Sequence, residues 1–115
     1  MLVVDDDAPF RQLAVEQLAA WGHPVVGEAA TVSEAISRAS QLGPEVVLAD
    51  IGLPDGDGFA LTRTLVAMPN PPRVILISSD ADVGNRRVAT RAGAVAFVPK
   101  DELDGTELRD LLERG

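Results

Sequence analysis

The 115-residue chain contains no cysteine. Disulfides and thiolate metal sites are therefore excluded, and nothing in the composition calls for an oxidising compartment. Basic residues are scarce: 10 Lys and Arg stand against 18 Asp and Glu, a net charge of −8. That balance argues against a nucleic-acid-binding module, because phosphate backbones require basic faces. Long apolar runs are missing as well. No stretch approaches the roughly 20 residues that span a bilayer, and the N-terminus lacks a basic region followed by a signal-like apolar stretch. The expectation is a soluble, cytoplasmic chain that touches neither membrane nor nucleic acid. Lysine is the rarest cation, since Lys100 is the only one. What is present, 46% hydrophobic and 24% charged residues, is the balance of a globular protein. The length suits one domain with a real core.

Two kinds of apolar segment alternate along the chain. Short, β-branched-rich runs at Leu2–Val4, Val25–Val26, Val46–Ala49, Val74–Ile77 and Val95–Val98 read as strands covered on both faces. Between them lie stretches of helical period. Leu13, Val15, Leu18 and Ala19 mark the first, with Pro9 in its opening turn and Asp7 or Ala8 just outside. Thr31-Val32-Ser33-Glu34 reads as a capping box for the second, which carries Ala35, Ile36, Ala39 and Leu42 and stops at Gly43-Pro44. Phe59, Leu61, Leu65 and Val66 make the third. The fourth, about 81–92, has a thin apolar face and contains Gly84 and Asn85. The fifth starts near Asp104 or Gly105, with Glu107 as a cap partner, and uses Leu108, Leu111 and Leu112. Strands alternating with helices imply one α/β unit, a parallel sheet with right-handed crossovers.

In open α/β sheets the ligand site lies beyond the carboxyl ends of the strands. Asp5, Asp6 and Asp7 follow the first strand, Asp50 the third, Ser78, Ser79 and Asp80 the fourth, and Lys100 the fifth. In the sheet order 2-1-3-4-5 these four strands are neighbours, so their ends converge. Two carboxylates about 4 Å apart repel by roughly 4 kcal/mol at an effective dielectric near 20. Mg²⁺, a hard cation held by carboxylates and phosphate oxygens, removes that cost. An Asp beside such an ion can act as a nucleophile towards phosphorus, with the ion and a lysine neutralising the charge on the transferred group. Blander roles suit other residues. Asp7 is an equally good helix cap, Asp55 and Asp57 belong to a turn with a helix cap, and Trp21 and His23 belong to a helix end and a loop.

The blocks Leu2-Val3-Val4-Asp5-Asp6, Val47 to Gly58, Ile75-Leu76-Ile77-Ser78-Ser79 and Ala92 to Lys100 together resemble the receiver domain of bacterial two-component response regulators. The resemblance covers essentially residues 1–115 as a single receiver domain, with no output domain in this chain. It implies a flavodoxin-like (βα)5 three-layer sandwich. It also implies Asp50 as phosphoacceptor, Asp5 and Asp6 as the acid pair, and Mg²⁺ on Asp6, Asp50 and the Gly52 carbonyl, with Asp5 acting largely through water. Ser78 is similar to the hydroxyl that senses the phosphoryl group, Lys100 to the lysine that contacts it, and Phe97 to the aromatic that turns inward on activation. The implied activity is a signalling switch that assists its own phosphorylation and dephosphorylation but is not an enzyme. The implied donor is a sensor histidine kinase or histidine phosphotransfer protein. Output would run through the face of helix four, strand five and helix five, towards an effector, an output domain or a second copy. Lys100-Asp101 is similar to regulators whose output domain is a LuxR-type helix-turn-helix. Gly52 and Asp80 stand where the family tunes phosphoryl lifetime, and the bare Gly52 is expected to admit water and shorten it.

Two rivals share part of this pattern. A haloacid-dehalogenase-like phosphatase would use Asp5 and Asp7 with Ser78 and Lys100, but Pro9 is wrong for that family and no acid-tipped strand follows Lys100. A pseudo-receiver that only binds partners would not need Asp5, Asp6, Asp50, Ser78 and Lys100 together. An FMN-binding site is disfavoured, since three aspartates after strand one would repel its phosphate.

Overall fold

The computed structural model describes residues 1–79 and 83–114, and of Val83 and Gly84 the backbone alone. Five parallel strands, β1 (Leu2–Val4), β2 (Gly27–Ala29), β3 (Val46–Asp50), β4 (Arg73–Ser78) and β5 (Ala96–Pro99), form one sheet in the order β2-β1-β3-β4-β5. Helices α1 (Ala8–Ala20), α2 (Val32–Leu42), α3 (Gly58–Val66), α4 (Val83–Ala92) and α5 (Thr106–Glu113) alternate with them. The architecture is the expected flavodoxin-like (βα)5 sandwich. No helix among the described residues is long and apolar enough to cross a membrane.

The near-continuous apolar runs follow from burial on both faces, since successive side chains of a strand point to opposite sides. Leu2, Val4, Val47, Ala49, Val74 and Leu76 pack with Ala35 and Ala39 of α2, Leu61 and Leu65 of α3, and Ala89 of α4. The alternate residues Val3, Val46, Leu48, Ile75, Ile77 and Val98 pack with Ala14 and Leu18 of α1 and Leu108 and Leu112 of α5. Every strand residue in these two sets is at most 5% exposed. The sheet is therefore held rigidly from both sides, and its carboxyl edge is a fixed frame.

Several expected boundaries move. The second strand lies at Gly27–Ala29 and not at Val25–Val26, and Val26 is 55% exposed. This is an edge strand, where backbone pairing with β1 decides the register, Leu2 opposite Gly27. A Cβ on Gly27 would stand 2.6 Å from Leu42 Cδ1, so the bare backbone lets α2 close over that edge. Likewise β5 begins at Ala96, leaving Val95 half exposed. On α1 the buried positions are Ala14 and Leu18, while Leu13 points outward. Apolar residues surround that helix, so periodicity alone does not choose its inner face.

The helix ends largely follow the sequence signals. Asp7 caps α1, accepting from Phe10 N at 3.4 Å. Thr31 caps α2 by accepting from Glu34 N at 3.0 Å, and the Glu34 carboxylate accepts from Ala30 N, one residue before the cap. Gly43 ends α2 in the left-handed region at φ 55°. At α5 the expected partnership fails. Gly105 occupies the cap position and no side chain, Glu107 included, supplies a cap hydrogen bond. The expected start of helix four at 81, and Asp80, lie outside the described residues.

Candidate functional site

Register assembles the site. Val4 pairs with Ala49, so Asp5 and Asp50 follow side by side on β1 and β3. Asp50 pairs with Ile77, which places Ser78 one residue further along β4. Ser78 pairs with Pro99, and Lys100 comes next. Four strands thus deliver their first polar residues to one rim. Ser78 is 4% exposed at the end of β4.

The acids cluster as the spacing predicts. Carboxylate oxygens of Asp5, Asp6 and Asp50 lie within 4.8 Å of one another. Asp5 is fully buried, Asp50 is 9% exposed and Asp6 faces solvent. Lys100 Nζ lies 2.8 Å from Asp5 Oδ2 and 3.2 Å from Asp50 Oδ2. Asp5 Oδ1 accepts from Asp7 N at 2.8 Å, and Asp50 Oδ1 accepts from Gly52 N at 3.3 Å. The Lys100–Asp5 contact is a buried ion pair, and the ammonium is the group that faces Asp5 Oδ2.

Electrostatics follow from that arrangement. Burial pushes the Asp5 carboxyl above its ordinary range, Asp50 adds to the rise, and Lys100 with the Asp7 N–H offsets only part of it. Burial alone lowers Lys100, but the carboxylates of Asp5 and Asp50 outweigh it and hold the ammonium above the usual lysine value. The site is a strained set of like charges with one cation.

The loop after β3 is clamped at four points. Gly52–Leu53 and Gly56–Asp57 form a short antiparallel ladder. Asp57 caps α3, accepting from Ala60 N at 2.8 Å. Asp55 accepts from Val32 N at 2.7 Å and Ser33 N at 3.1 Å, which draws its carboxyl below the ordinary value. The turn-and-cap expectation for Asp55 and Asp57 therefore holds, except that Asp55 serves α2. Gly58 completes the clamp: a Cβ there would stand 2.5 Å from the Asp50 carbonyl oxygen. Gly52 is exposed, with nothing within 4 Å of where its Cβ would be.

Phe97 lies apart from the acids, 4% exposed in the cluster beneath α3 and α4, with the Arg86 guanidinium 5.7 Å from its ring centroid. Two neighbours of the acids were not legible as such. The Phe10 ring stands 4.4 Å from Lys100 Nζ. Arg11 donates to the Asp5 carbonyl at 2.6 Å and to Glu28 at 2.9 Å. Their only signal was proximity to Asp5 through the first turn of α1.

A parallel α/β domain with three clustered carboxylates and a lysine at the carboxyl edge of its sheet is built for phosphoryl chemistry. The chain belongs to the response regulator receiver domain family, whose model matches residues 1–113, and so to two-component signalling. It is 36% identical over 109 residues to protein-glutamate methylesterase/protein-glutamine glutaminase 5 of Myxococcus xanthus, covering 93% of this chain and 31% of that protein. It is also 36% identical over 109 residues to the DNA-binding transcriptional activator DevR/DosR of Mycobacterium tuberculosis, covering 94% of this chain and 50% of that protein. A two-component response regulator of the LuxR family from Aurantimonas sp. SI85-9A1 superposes with a TM-score of 0.90 at 27% identity, covering 98% of this chain and 81% of that one. The chain thus spans about a third to a half of the curated relatives it matches.

Proposed function

We propose that Asp50 is the phosphoacceptor of a switch fed by a phosphohistidine on a sensor kinase or phosphotransfer protein. An Asp50 carboxylate oxygen forms the O–P bond as the donor's N–P bond breaks, and the imidazole leaves with the electron pair and takes up a proton. Water later attacks phosphorus, returning inorganic phosphate and the free carboxylate. The observation that carries this reading is Lys100 Nζ, 3.2 Å from Asp50 Oδ2 and 2.8 Å from Asp5 Oδ2. The ammonium is placed to pair with charge that develops on a group joined to Asp50. Ser78, at the end of β4, supplies a hydroxyl on the neighbouring strand.

The donor set fits Mg²⁺. All ligands offered are hard oxygens, and three carboxylates, one of them fully buried, converge around a single lysine. Asp5, Asp6, Asp50 and the Gly52 carbonyl would hold it, and when bound it would neutralise the phosphoryl oxygens and the crowded acids. Asp5 and Lys100 orient Asp50, and the Asp55 and Gly58 clamps hold the Gly52 carbonyl in place.

Output is proposed through α4, β5 and α5, with Phe97 under α4 as the internal reporter. The likeness to a LuxR-family regulator and to DevR/DosR supports a helix-turn-helix output domain in the whole protein, and a cytoplasmic setting goes with it. The test is incubation with Mg²⁺ and acetyl phosphate, then intact mass and peptide mapping. One phosphoryl group at Asp50, lost in Asp50→Asn, is the expected result. Modification elsewhere, or none in wild type, overturns the reading.

A further inference from the structure

Phe10 carries no reactive group, yet its ring forms one wall around Lys100. The ammonium meets Asp5 Oδ2, Asp50 Oδ2 and the ring, whose centroid is 4.4 Å away. That distance lies within the range where a cation is attracted to an aromatic face. A lysine has a long flexible stem and a compact ammonium, and carboxylates alone leave it free to swivel between them. A ring face on the third side restricts that freedom and keeps water off the ammonium, whose side chain is 18% exposed.

The ring itself is firmly anchored. Asp5 Oδ1 accepts from Asp7 N, Asp7 accepts from Phe10 N, and the next residue, Arg11, donates back to the Asp5 carbonyl. The first turn of α1 and the end of β1 thus close into one hydrogen-bonded unit. Phe10 also packs against the cluster around Ala14 and Leu18, so its place relative to Asp5 is set on both sides.

We infer that Phe10 is a positioning residue whose ring face holds the Lys100 ammonium between Asp5 and Asp50. The consequence for phosphorylation rests on the function proposed for Asp50, whereas the contact itself does not. The single lysine makes the contact readable in isolation. With lysine labelled by ¹³C and ¹⁵N, the Lys100 ε-methylene protons should appear upfield of a free lysine in wild type and in Phe10→Tyr. In Phe10→Leu, which stays apolar but has no ring, they should return to the free-lysine position.

The second arm is the rate of phosphorylation by acetyl phosphate with Mg²⁺. Phe10→Leu should slow it about three- to tenfold, while Phe10→Tyr stays within about twofold of wild type. In a Lys100→Gln background Phe10→Leu should add nothing, because the contact it removes is already gone. Phe10→Met serves the same comparisons if Phe10→Leu does not fold by circular dichroism. An unchanged lysine signal in Phe10→Leu, or an equal rate loss in both backgrounds, overturns the inference. Wild type that is never modified at Asp50 overturns the proposed function instead, and the lysine signal still decides the contact.

Discussion

Two glycines in the loop after Asp50 do opposite things. A Cβ on Gly58 would stand 2.5 Å from the Asp50 carbonyl oxygen and 2.8 Å from Ile51 Cα, neither of which can yield as a flexible side chain could. Gly58→Ala should destabilise the domain by about 2 kcal/mol in urea unfolding and displace Asp50. Gly52 meets nothing within 4 Å, so a side chain fits without strain. Gly52→Asn should leave stability nearly unchanged and lengthen the aspartyl phosphate lifetime several-fold by screening Asp50 from water. A half-life equal to wild type would refute that role. The sequence shows both residues as turn glycines. Only the close approach of α3 to the end of β3 separates them.

Among the elements, the β3–α3 loop and the start of α2 are joined by one side chain. Asp55 accepts from two amides at the N-terminus of α2, where unpaired donors and the helix dipole favour an anion. Its carboxyl is lowered by those bonds, so their contribution is present above the ordinary carboxylate range and is lost as pH falls through the lowered value. Asp55→Ala should accelerate amide hydrogen exchange at Val32 and Ser33 while Ala60, capped by Asp57, keeps its protection. Asp57→Ala should do the reverse, at a cost of about 1 kcal/mol. Local spacing makes a cap of Asp57 readable, because donor and acceptor are three residues apart. Asp55 reaches a helix 22 and 23 residues earlier, which no local pattern reveals.

For the whole molecule the governing feature is the crowded acid rim. Burial raises Asp5 above its reference of 3.8, so the fold favours the protonated form. The metal-free domain therefore carries a cost above the raised value that is relieved as pH falls towards 3.8. Asp5→Asn should accordingly be more stable than metal-free wild type above the raised value, with the gap narrowing as pH falls through it towards 3.8. Mg²⁺ should raise the wild-type melting temperature, by about 2.7 kcal/mol of stability at a hundred times Kd, and should shift Asp50→Asn far less. Absence of any magnesium effect on the melt would remove the case for a metal site.

The apolar runs and their alternation with helical stretches were enough to imply a parallel α/β domain and to put Asp5, Asp6, Asp7, Asp50, Ser78, Ser79, Asp80 and Lys100 at the strand ends. The resemblance to receiver domains narrowed these to Asp5, Asp6, Asp50, Ser78 and Lys100. Those properties are local: a strand buried on both faces must be apolar throughout, and its first polar residue marks the edge of the sheet. The tertiary structure decided the rest. Edge pairing moved β2 to Gly27–Ala29, and packing chose Ala14 over Leu13 on α1. Folding also brought Phe10 to Lys100 and Asp55 to α2, contacts between residues 90 and 23 positions apart. Such contacts depend on how elements lie against one another, and no period or spacing along a single segment carries that information.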